Sequence, residues 1–89
     1  MSKLTLLEVF EVIANEMKYA VDKWEDDLDR PVKDADKSVE FWIAHMENYL
    51  DSARRNCYGT DKTEALSELR KLAGLVVRCF QNLGVPERK

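Results

Sequence analysis

Apolar residues return every three or four positions through three long blocks of this chain, and almost nothing interrupts them. With 3 Gly and 2 Pro in 89 residues, there are few places to turn. A many-stranded β fold is therefore excluded, and the spacing points to helices. The first block carries Leu6, Val9, Phe10, Ile13, Met17, Ala20, Val21 and Trp24. It opens on Thr5-Leu6-Leu7-Glu8, a capping box in which hydroxyl and carboxylate satisfy each other's amides. The second block carries Val39, Trp42, Ile43, Met46, Tyr49, Leu50 and Ala53, with Ser38 or Asp36 available as cap and Gly59 available to end it. The third runs from Ala65, Leu66 and Leu69 to Phe80 and Leu83, opening at Thr60 or Asp61 and stopping at Gly84 before Pro86. The expected helices are about 5–25, 38–56 and 61–83, with an acidic loop over 25–37.

The expected fold is all-α, a three-helix antiparallel bundle forming a single domain over 1–89. A 10.4 kDa chain folds to an accessible surface of roughly 5,400 Å², enough for one modest core. Leu75, Val77 and Cys79 make the third helix apolar on nearly every side between Leu72 and Phe80, broken by Gly74 and Arg78. A helix apolar all round needs cover all round. Completion by homo-oligomerisation, with the third helix at or near the subunit interface, is the expectation. The plainer arrangement is a central helix covered by its own two neighbours.

Composition excludes several classes. No apolar run approaches the ~20 residues of a membrane span. The first residues reach an acid at Glu8 without a long apolar stretch, so no signal peptide is expected, and the expected setting is cytoplasmic without membrane partners. A net charge of −3 is not the footprint of a nucleic-acid binder. Cys57, Cys79 and the single His45 cannot complete a four-ligand zinc site without carboxylates. Both thiols are expected reduced, Cys79 in or beside the core and Cys57 near a loop. His45 has no Ser or Cys at helical neighbour spacing and is not expected to act as a base. No phosphate-cradling glycine loop is present.

The polar residues leave a narrower set. Glu16 lies at the edge of the first stripe, Glu47 and Asp51 flank the second with Glu40 on the same side, and Glu68 flanks the third. If these flanks converge, their oxygens suit a hard cation such as Mg²⁺. Otherwise each is a solvated residue paired nearby, Glu47 with Arg54 and Asp51 with Arg55 or Arg54. Asp22, Glu25, Asp26, Asp27 and Asp29 form an acidic stretch that could dock a basic partner, without the ligand pattern of a calcium loop. Trp24 and Trp42 fit core stripes, or could stack a nucleobase beside the loop. Tyr19 and Tyr58 lie off the stripes and are candidates for exposed contacts.

The residues Lys23-Trp24, Asp29, Phe41-Trp42-Ile43-Ala44, Tyr49-Leu50-Asp51-Ser52-Ala53 and Leu69-Arg70-Lys71-Leu72-Ala73-Gly74-Leu75 resemble a group of small bacteriophage proteins of uncharacterised role. Those proteins in turn resemble shortened MazG-like all-α nucleotide pyrophosphohydrolases, over about residues 13–84. That resemblance implies Mg²⁺-dependent cleavage of nucleoside triphosphates, carried by Glu-Glu-x-x-Glu on one helix and Glu-x-x-Asp on the next. Here the first motif maps onto Glu47 to Asp51, with Asn48 in place of its middle acid. The second maps onto Glu68 to Lys71, where a lysine stands in place of the acid. An ammonium group there reverses the charge a dication needs. The expectation is accordingly a non-catalytic binding protein for a nucleotide or other phosphate ligand, with no cofactor. Glu16, Glu47, Asp51, Glu68 and Lys71 would then line the site, and Lys71 would meet phosphate directly. Two alternatives stay open: an accessory or counter-defence protein binding a host protein through Asp26, Asp27 and Asp29, and a divergent Mg²⁺-dependent pyrophosphohydrolase.

Overall fold

The structure, a computed structural model, describes residues 3–24, 34–59 and 62–88. It contains three α-helices, α1 (Leu6–Trp24), α2 (Val39–Asn56) and α3 (Thr63–Leu83), and a 3₁₀ turn at Asp34–Asp36. Among the described residues there is no strand, so the chain is all-α, as the periodicity requires.

The caps follow local chemistry. The Thr5 N–H donates to Glu8 Oε1 at 2.9 Å while the Glu8 N–H donates to Thr5 Oγ1 at 3.2 Å, closing the capping box. That bonding favours the carboxylate and holds the Glu8 carboxyl below its ordinary pKa. Ser38, not Asp36, caps α2, its Oγ accepting from the Phe41 N–H at 3.2 Å. α3 begins later than expected, with Lys62 at its N-cap and no side-chain bond there. Thr60 and Asp61 lie outside the described residues. Gly84 takes φ 85°, a left-handed value that suits glycine, and its N–H donates to the Phe80 carbonyl at 2.8 Å.

Helix α3 is the middle element. On one side Trp42, which is 1% exposed, packs with Leu75 and Cys79, and Met46 and Tyr49 close around them. Residues early in α2 thus meet residues late in α3, which makes the pair antiparallel. Ala53 and Ala65 are buried in the same helix pair. On another side α1 crosses at Gly74, where a β-carbon would stand 3.5 Å from Glu16 Cγ and 3.9 Å from Met17 Cγ. Among the described residues no Cα of α1 comes within 8 Å of one in α2. The chain's own neighbours therefore cover α3 from Leu72 to Cys79, where no residue is exposed.

The uncovered apolar surface lies elsewhere. The α1 stripe is half-buried at Ile13, Met17 and Ala20, but Leu6 is 68% and Phe10 55% exposed. On α2 the edge bearing Trp42, Tyr49 and Ala53 faces inward, while Val39, Ile43 and Leu50 on the other edge are exposed. Among the described residues no helix is long and apolar enough to cross a membrane.

Candidate functional site

The five residues singled out for a ligand site fall in three places. Glu16 reaches from α1 to α3 and pairs with Arg70, Oε2 to Nε at 3.3 Å. Glu68 and Lys71 pair along α3, Oε1 to Nζ at 3.2 Å. Both glutamate side chains are largely shielded, whereas the two cations are partly exposed. On α2, Asp51 pairs with Arg55 at 3.3 Å in full view of solvent, as helical spacing allows, and Glu47 is exposed. Among the described residues, no three His, Cys, Asp or Glu side chains are grouped so as to hold a metal ion. Glu16, Asp51 and Glu68 thus meet bases of their own chain.

Trp42 belongs to the core, with neither ring face open to a stacked base. Among the described residues its indole N–H is buried without an acceptor, a cost of about 1–3 kcal/mol. The side chain of Trp24 and the residues Asp26, Asp27 and Asp29 lie outside the described residues. Tyr19 and Tyr58 are exposed. Cys79 is buried in the core, Cys57 is exposed at the end of α2, and both are free thiols.

A second polar cluster sits where the sequence offered only a patternless stretch. Asp34, in the 3₁₀ turn, accepts from Lys37 Nζ at 2.8 Å and from Arg78 Nη2 on α3. Lys37 lies 4.8 Å and Arg78 5.9 Å from the centre of the Trp42 ring, so two cations share one carboxylate over an aromatic floor. Burial alone would raise the Asp34 carboxyl; hydrogen bonds from Lys37 and Arg78, and their charges, outweigh it and hold the group below its usual range. One turn along α2 from Phe41, His45 stacks on Tyr49 with ring centres 5.7 Å apart. Burial, and then the charges of Lys37 and Arg78, lower the His45 pKa and favour the neutral ring. The cluster fastens the 3₁₀ turn to α3. Its one signal in the sequence is Arg78 itself, a cation in the most apolar part of α3 that needs an acid from elsewhere in the chain.

Chemically, these arrangements hold helices together. Arg70, Lys71, Lys37 and Arg78 are each engaged by a carboxylate of the same chain. The chain matches no known family model, no curated protein and no solved structure.

Proposed function

We propose that this chain is a non-catalytic helical binding protein that works through its surface, docking on another polypeptide rather than turning over a small substrate. The observation that carries this reading is a division of labour among side chains. The shielded acids Glu16, Glu68 and Asp34 are bound to bases of the same chain. Large apolar side chains on α1 and on the outer edge of α2 stand open to solvent. A phosphate at Lys71 would have to displace Glu68, and a Mg²⁺ ion at Glu68 would sit beside the Lys71 ammonium group. Either exchange costs a formed ion pair before any ligand contact is gained. Contiguous exposed apolar surface is the usual mark of a protein-binding face.

Nucleotides provide the test. With each canonical nucleoside triphosphate, with and without Mg²⁺, the expected result is no pyrophosphate release and no rise in melting temperature. Ligand at 100 times its dissociation constant would add about 2.7 kcal/mol, so binding would not escape notice. Pyrophosphate release lost in Glu47→Gln, or stabilisation lost in Lys71→Met, would overturn the reading in favour of a nucleotide site.

A further inference from the structure

We infer that α1 is a strap that lifts from α3 and closes again while α2 and α3 stay folded together. The buried apolar side chains among the described residues are Trp42 and Ala53 on α2 and Ala65, Leu75 and Cys79 on α3. All belong to one helix pair, and α1 supplies none of them. The most shielded described side chains of α1 are Ile13, Glu16, Met17 and Ala20, each only half-buried. No Cα of α1 comes within 8 Å of one in α2, so among the described residues α3 alone holds the helix. Glu16 and Arg70 pair across that contact at 3.3 Å, but the arginine stands well into water, where such a pair adds little.

The two seams of α3 differ in what opening them exposes. On the α1 side, Glu16 Cγ and Met17 Cγ lie over the bare backbone of Gly74, and parting them lets Glu16 and Arg70 pass into water as separate ions. On the α2 side, opening would wet the fully buried Trp42 and part the shielded Asp34 from Arg78. Segments with few buried apolar contacts open at free energies well below that of the whole domain. Once lifted, α1 does not keep its amides protected. Most helical stability comes from packing, so a free helix of 19 residues is marginal in water. Lifting α1 also uncovers Gly74 and releases Arg70 from its acid, a face of α3 that the closed form hides.

Native-state amide hydrogen exchange of the full chain, followed by nuclear magnetic resonance at urea concentrations below the unfolding midpoint, tests the inference. The α1 amides of Ile13 and Met17 should be protected about 100-fold less than those of Met46 in α2 and Leu75 in α3. Their exchange should respond weakly to urea, because lifting one helix exposes little surface, whereas that of Met46 and Leu75 should rise steeply. Ser38→Ala removes the cap of α2 and weakens the closed and lifted forms equally against the unfolded chain. It should therefore speed exchange at Met46 and Leu75 about 5-fold and leave Ile13 and Met17 unchanged. Equal protection and equal urea dependence at all four amides would overturn the inference. So would a Ser38→Ala variant in which all four exchange faster by the same factor.

Discussion

Asp34 pairs with two cations at once, and removing it should cost more than removing either of them. In Asp34→Ala, Lys37 and Arg78 would face each other without their acid, with side chains only 11% and 16% exposed. Breaking a fully buried pair from one side costs about 3–5 kcal/mol. The residual exposure admits some water, so about 2–3 kcal/mol is the expectation here. Arg78→Met is milder. Asp34 keeps its 2.8 Å bond to Lys37, and the thioether replaces the arginine stem against Trp42. About 1 kcal/mol is expected from that change. In a domain of this size the first substitution should lower the melting temperature by roughly 10–20 °C and the second by roughly 4–8 °C. Urea unfolding measures both without adding screening salt. The double variant should cost less than the sum of the two, because the residues share one interaction. An Arg78→Met penalty equal to that of Asp34→Ala, or an Asp34→Ala penalty under about 0.5 kcal/mol, would refute the shared-acid account.

Gly74→Ala should stabilise the protein. The new methyl would meet Glu16 Cγ at 3.5 Å and Met17 Cγ at 3.9 Å, ordinary contact distances, and alanine in a helix interior gains about 1 kcal/mol over glycine. Gly74→Leu should instead force α1 from its seat and lower the melting temperature, and a lowered melting temperature for the alanine variant would contradict the packing described. Stability should also fall in two steps as pH drops. The His45 pKa is lowered from 6.5, so the unfolded chain binds that proton more readily, and stability declines as pH falls through the ordinary histidine range. The Asp34 pKa is lowered from 3.8, so its contribution is present above that value and is lost below it. Urea midpoints from about pH 8 to about pH 3 report both, and His45→Asn should remove the upper step. A midpoint that rises on acidification from neutral pH would count against the His45 assignment. Ser38→Ala should cost about 1 kcal/mol in the same assay, because the Phe41 amide loses its acceptor.

The helices were legible because their signals are local. Thr5 and Glu8 bond within one turn, Ser38 caps the amide three residues on, and Gly84 supplies a conformation that side chains resist. Trp42 and Cys79 were legible as core because each lies on a stripe that α2 and α3 present to each other. Periodicity names an apolar face but not what covers it. The stripe holding Leu6 and Phe10 is continuous with the one holding Met17, and only the latter reaches α3. Likewise the sequence placed Glu16 and Glu68 beside apolar stripes, but the choice of Arg70 for Glu16 depends on where α1 crosses α3. Asp34 and Arg78 are 44 residues apart, and no spacing rule links them.

Native mass spectrometry of the protein as purified from cells asks most directly what this chain binds. The account predicts masses built from polypeptide alone, as multiples of the chain or the chain with another protein. A species carrying the added mass of a nucleotide, retained through gel filtration and lost in Lys71→Met, would contradict it.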